Sequence, residues 1–187
     1  MSLELVYETH SITEENERGI ATGWLPGRLS EEGRRQAVLL GERRRETGLA
    51  AVFTSDLARA VETTEIAFGD SGLPVHVDAR LRECDYGTFN GARADTLHPR
   101  TGWIDEPFPG GQSYRQVVEA TRDFLHDLAS GWDRARVLVV AHSANRWALQ
   151  HLIDGTPLEE LVDAPFAWQP GWHFTLPTPF PAVRTTP

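Results

Sequence analysis

The stretch RVLVVAH, residues 136–142, decides the fold. Its five consecutive apolar residues, Val137 to Ala141, show no polar alternation, the signature of a strand covered on both faces. It ends on His142 and runs straight into SANRWALQ, where Ser143 opens a helix. Three further apolar runs read as strands of the same mixed or parallel sheet: LELVYE (3–8), AAVFTS (50–55) and LPVHVD (73–78). Helices alternate with them. Ser30 caps one, with Glu31 and Glu32 in its first turn, running to about Thr47. Leu57 to Ala67 is a second. Ser113 and Gln116 form a capping-box pair for a third, whose Val117, Thr121, Phe124, Leu125 and Leu128 share one face. The fourth starts at Ser143, and a short fifth at Thr156-Pro157-Leu158-Glu159 has proline at its first helical position. FAWQPGWHFTL (166–176) reads as a hairpin around Pro170-Gly171. Strands alternating with helices imply an α/β fold of stacked layers.

The 187 residues favour one domain, 1–187, with an irregular Pro-rich tail from about 177. At 40% hydrophobic and 24% charged, the composition is that of an ordinary globular chain. A net charge of −9 gives no general attraction to nucleic acid or to an anionic membrane, so neither is expected as a partner. Any bound anion must be held by a few local arginines; lysine is absent and all 18 cationic side chains are arginine. Cys84 is the only cysteine, which excludes an intrachain disulfide. Without a signal-peptide pattern or a long apolar run, a cytoplasmic location is expected. Oligomeric state is not legible.

In layered α/β folds ligands sit outside the carboxyl ends of the strands. His10 and His142 follow two such ends, and Ser55 and Asp56 follow another. Several separate segments therefore meet at one mouth. Taken singly, each polar residue there has a plain structural reading. His10 or His142 would be an ordinary strand-end histidine, Arg59 a solvated helix residue, Asn16 a turn former. Glu83 would be a loop acid paired with Arg80 or Arg82.

Their joint pattern resembles the histidine phosphatase superfamily, the phosphoglycerate mutase-like proteins. THSITEEN (9–16) is similar to the family's Arg-His-Gly-x-Thr-x-x-Asn. GWLPGRLSEEGRRQA (23–37) resembles its Gly-Trp stretch and following helix start. TSDLARAVETTEIA (54–67) matches Ser-x-Leu-x-Arg-Ala-x-x-Thr, and LRECDYGTFNG (81–91) matches Leu-x-Glu-x-x-x-Gly-x-x-x-Gly. FPGGQS (108–113) resembles a Pro-Gly-Gly-Glu-Ser loop, and VLVVAHSANRWALQHLI (137–153) the second histidine motif. Six motifs in order cover nearly the whole chain. The resemblance implies a three-layer α/β/α sandwich around a mostly parallel sheet. It implies that His10 attacks phosphorus to form a phosphohistidine, with Arg59, His142 and Asn16 as donors to the phosphoryl oxygens. Glu83 would be the proton donor and then the base, and no metal or organic cofactor is required. Backbone amides at the helix beginning with Ser143 would face the same anion.

This chain departs from that pattern. Thr9 stands where the family has arginine, Ser11 and Ser143 stand where it has glycine, and Gln112 replaces a glutamate. Loss of one charge-assisted contact to phosphate would slow a phosphatase roughly 10- to 100-fold. Arg146, with Asn145, is a candidate replacement, although a cation in the first turn of a helix opposes the dipole. Its alternative is a solvated or acid-paired arginine. Thr9, Ser11 and Ser143 would lie near the anion, and Trp103, within HPRTGWIDEPFPGG (98–111), would line the pocket for a flat or apolar group. Glu8 is unexpected beside a phosphate pocket; it is either neutralised by an arginine or turned away. The remaining histidines carry no metal-ligand spacing and no assigned role.

The leading expectation is a phosphatase acting on a small phosphorylated metabolite. A catalytically impaired phosphoester-binding or interaction domain is the first rival. A phosphoglycerate mutase and a serine hydrolase are the others. The last rests on VVAHSANR as a nucleophile elbow at Ser143, but Ala141 and Asn145 replace both of its glycines.

Overall fold

The computed structural model describes residues 1–181. Strand β1 (Ser2–Thr9) leads through a short helix, α1 (Glu14–Glu17), to α2 (Glu31–Arg44). Then follow β2 (Ala51–Thr54), α3 (Ala58–Phe68), β3 (Val75–Val77) and a run of 3-10 turns ending at Trp103. Helix α4 (Tyr114–Gly131), β4 (Arg136–Ala141), α5 (Ser143–Leu149), α6 (Leu158–Leu161) and β5 (Trp172–Pro177) complete the order. The sheet runs β3-β2-β4-β1-β5; all pairs are parallel except β1 with β5.

The apolar run of β4 explains its central place. Val137, Val139 and Ala141 join Leu3, Leu5, Tyr7 and the α4 residues Phe124, Leu125 and Leu128 in one cluster. Leu138 and Val140 face the other way, packing with Val6, Val52 and Leu40, Ala67 and Phe68 of α2 and α3. Alternate side chains of one strand thus feed two apolar layers, which is why no polar residue interrupts the run. The result is the three-layer α/β/α arrangement with a mostly parallel sheet. A third cluster, around Tyr86, Phe108, Tyr114 and Trp147, packs the segment between β3 and α4 against α4, α5 and α6.

Capping set the helix starts as expected: Ser30 Oγ accepts from the Gly33 amide, and Ser113 and Gln116 bond reciprocally. Helix α2 stops at Arg44 rather than about Thr47, and Pro157 is the N-cap of α6 rather than its first residue. LPVHVD contracts to three exposed edge residues. The hairpin around Pro170-Gly171 does not form. Residues 166–171 are irregular, and β5 pairs instead with β1, from Ser2↔Pro177 to Tyr7↔Trp172. The expected tail begins later than position 177, which belongs to β5, and Phe180 is buried in the first cluster. The rest of that tail, 182–187, lies outside the described residues. No helix among the described residues is long and apolar enough to cross a membrane.

Candidate active site

Strands β1, β2 and β4 end together, and the register Thr9↔Ala141 brings the residues that follow them side by side. The His10 and His142 rings lie 5.0 Å apart between centroids. His10 Nδ1 sits 2.7 Å from the Ser11 carbonyl oxygen, which accepts its N–H and leaves the lone pair on Nε2. Arg59 Nε lies 3.3 Å from that Nε2. Burial, and then the Arg59 charge, push the His10 pKa down to about 3, so the ring is neutral at physiological pH.

Arg59 is anchored from behind. Its terminal nitrogens donate to the Leu25 carbonyl at 2.9 Å and the Gly23 carbonyl at 2.8 Å. Gly23 adopts φ +54, and a Cβ there would strike Asn90, so this turn requires glycine. Thr63, one turn further along α3, accepts from the Ser11 amide at 3.1 Å and donates to the Arg59 carbonyl at 2.7 Å. Helix α3 and the His10 loop are thereby locked together. With both terminal nitrogens tethered, Arg59 aims its Nε–H at His10 Nε2 rather than offering a free fork.

His142 is fully buried; its Nε2 lies 2.7 Å from Ser55 Oγ, and its Nδ1 has no partner among the described residues. Burial, then the Arg59 charge, hold it neutral. Its carbonyl accepts from the Tyr7 hydroxyl. Glu83 is not paired with Arg80 or Arg82. Arg80 bonds Asp78 and Asp127, both at 2.7 Å, and Arg82 bonds Asp56 at 2.7 Å. Glu83 Oε1 accepts from the amides of Cys84 at 2.8 Å and Ala144 at 3.3 Å. Its pKa is raised, mainly by burial; the Cys84 amide and the Arg59 charge oppose that only in part.

A cavity of about 470 Å³ opens on these groups. His10, Asn16, Arg59, Glu83, Ser143 and Arg146 all line it. Asn16 uses Oδ1 to accept from the Thr13 amide at 3.1 Å, so it is both a cap and a wall residue. Five candidates lie outside the cavity wall, the first being His142, which is fully buried with Nε2 on Ser55. Thr9 and Ser11 are outside the cavity wall, Ser11 because its amide is turned onto Thr63. Asn145 is a buried clip: Oδ1 accepts from the His142 amide at 3.2 Å and Nδ2 donates to the Arg82 carbonyl at 3.1 Å. Trp103 stacks on Phe108 at 4.5 Å and belongs to the packing of its own segment. The α5 amides are partly committed too, since Ala144 serves Glu83. Glu8 faces away from the cavity and meets Arg43 and Arg44, each at 2.7 Å.

Some wall residues carried no role in the sequence reading. His98 and Arg100 line the cavity, tied by Asp163, which bonds His98 Nδ1 at 2.8 Å and the Arg100 amide at 2.8 Å. Only their place within 98–111 hinted at this. Among the described residues no cluster of histidine, cysteine and acidic side chains is arranged to hold a metal ion.

Comparison with known proteins agrees with this geometry. The profile of the histidine phosphatase superfamily (branch 1) matches residues 9–168. A 2,3-bisphosphoglycerate-dependent phosphoglycerate mutase from Mesorhizobium japonicum is 34% identical over 178 residues, 87% of this chain and 86% of the relative. A mycobacterial glucosyl-3-phosphoglycerate phosphatase superposes with TM-score 0.73 at 29% identity, over 86% of this chain and 84% of that one. Bacillus stearothermophilus YhfR superposes with TM-score 0.83 at 25% identity, over 97% and 95%. With the sheet order, the paired histidines and a family profile spanning most of the sequence in agreement, the chain belongs to the histidine phosphatase superfamily.

Proposed function

We propose that the protein is a phosphomonoesterase that works through a phosphohistidine on His10. The observation that carries this reading is the neutral imidazole whose Nδ1 is pinned by Ser11 and whose Nε2 lies beside a buried guanidinium. Nε2 attacks phosphorus, the P–O bond to the leaving group breaks, and Arg59 neutralises charge on the transferring oxygens. Glu83, held toward its protonated form by burial, gives its proton to the departing oxygen. The resulting carboxylate takes a proton from water, whose oxygen attacks the phosphohistidine; inorganic phosphate leaves and His10 is restored. The cavity suits a small phosphorylated metabolite.

Hydrolysis of p-nitrophenyl phosphate by wild type and by His10→Ala tests the reading. Turnover that His10→Ala abolishes, with acid-labile, base-stable phosphate on wild type quenched in mid-reaction, supports it. Equal and negligible rates would favour a phosphoester-binding domain instead. The names of the curated relatives favour a second reading, transfer between hydroxyl groups of phosphoglycerate. Interconversion of the 2- and 3-phosphoglycerates faster than release of phosphate would establish it.

A further inference from the structure

Beside Arg59 and Arg100, a third guanidinium lines the cavity, that of Arg146. Arg146 is the fourth of the seven residues of α5, in its last turn. Burial lowers its pKa, and Tyr7 and Glu83 oppose that only in part. Nε is buried without a hydrogen-bond partner among the described residues. A half-buried cation without a paired anion is costly, and such violations collect at functional sites. What fixes the side chain is aromatic: the guanidinium carbon lies 4.8 Å from the Trp172 ring centre and 5.7 Å from that of Phe166. Stacking holds a guanidinium by its face and leaves its N–H edge unspent. Arg146 and Phe166 both line the cavity that holds His10.

Its position also bears on Thr9. Tyr7 and Thr9 point to the same face of the sheet, two residues apart on β1. On that face the Tyr7 hydroxyl reaches the His142 carbonyl, and Tyr7 pairs across the sheet with Trp172, the shelf under Arg146. Arg146 therefore approaches the cavity from the side on which position 9 lies.

We propose that Arg146, held on Trp172 and Phe166, is a second phosphate-binding arginine that grips the phosphoryl group opposite Arg59. This rests on the reading of the cavity as a phosphoester site. The two fail separately in one set of measurements: inorganic phosphate binding, by calorimetry and by the phosphate-dependent rise in melting temperature, beside p-nitrophenyl phosphate turnover. Arg146→Ala should weaken phosphate binding and lower kcat/KM by roughly 10- to 100-fold, and Arg146→Lys by less. Thr9→Arg combined with Arg146→Ala should recover much of both. Melting temperatures without phosphate show whether each variant is folded, and Arg146→Lys serves if the alanine variant is not. Phosphate binding that changes less than twofold in both Arg146 variants overturns the proposal, and so does a wild type that binds no phosphate. Arg146-dependent binding without any turnover would sink the phosphatase reading and leave this one standing.

Discussion

The Ser11 carbonyl oxygen lies 2.7 Å from His10 Nδ1, and this contact decides which nitrogen of His10 can act. It accepts the one N–H of the neutral ring and leaves the lone pair on Nε2, beside Arg59.

The acid side of the pH profile follows from this pairing. Burial and Arg59 push the His10 pKa to about 3, so kcat/KM should show no fall near pH 6.5 from protonation of His10. Stability behaves differently. The folded state resists protonation of His10 and His142, whereas the unfolded chain accepts protons below about 6.5. Stability is therefore full above about 6.5 and is lost as pH falls toward 3. Thermal unfolding of wild type between pH 8 and 4.5 should show that decline, and His10→Asn should make it shallower. A wild-type melting temperature that stays flat over this range would contradict the buried, neutral histidines.

Glu83 carries the opposite sign. Its folded pKa is raised, so its contribution is full below about 4.5 and is lost as pH rises through the folded value. Glu83→Gln keeps a carbonyl oxygen for the Cys84 and Ala144 amides and removes the buried charge. At pH 8 the variant should melt no lower than wild type, while kcat falls roughly 10²- to 10⁴-fold, the span of general acid–base catalysis. The fall should be smaller for a substrate with a good leaving group, such as a nitrophenyl ester, than for an alkyl phosphate. Equal loss on both would remove Glu83 from the role of proton donor.

The same contrast runs through what the sequence made legible. An uninterrupted apolar run can satisfy only a strand with helices on both faces, so β4 and the layers around it were readable. His10, Arg59, Glu83 and His142 were grouped by the family pattern, and the structure sets His10 beside His142 and Arg59, with Glu83 in the same cavity wall as His10. The pairing of β5 was not readable, since its partner lies some 170 residues away and local alternation mimics a hairpin. Trp103 and Asn145 were misplaced for a related reason. A tryptophan that stacks on Phe108 and an asparagine that clips two backbone groups have the same composition as a pocket wall and an anion donor. Only three-dimensional partners separate those roles.

Asn145 should accordingly act through position. Its amide joins the backbone of His142, at the end of β4, to Arg82, next to Glu83. Asn145→Ala leaves a buried amide and carbonyl without partners, at a cost of about 2 kcal/mol in unfolding free energy. Because both His142 and Glu83 lose their tether, kcat should fall while phosphate affinity changes little. Asn145→Asp restores the acceptor but not the donor, and should recover only part of the stability. A large loss of phosphate affinity with stability intact would instead make Asn145 a ligand of the anion.

Glu8 poses the sharpest electrostatic question in the sequence, an acid two residues from His10. Strand alternation answers it. Glu8 is on the α2 face with Val6, where Arg43 and Arg44 each approach within 2.7 Å, and Arg44 also donates to the Pro170 carbonyl at 2.6 Å. The pair is largely shielded from water, with the Glu8 side chain only 4% exposed and that of Arg44 11%. Removing one member of a buried pair leaves the other uncompensated, which costs about 3–5 kcal/mol. Glu8→Ala should lower stability by that order in urea unfolding. Arg44→Met in the same chain should restore part of it by removing the stranded charge. Neither change should shift KM for an aryl phosphate by more than about twofold, because no charge of the cavity is altered. A KM that drops sharply in Glu8→Ala would mean that its carboxylate repels the substrate and is not neutralised by its arginines.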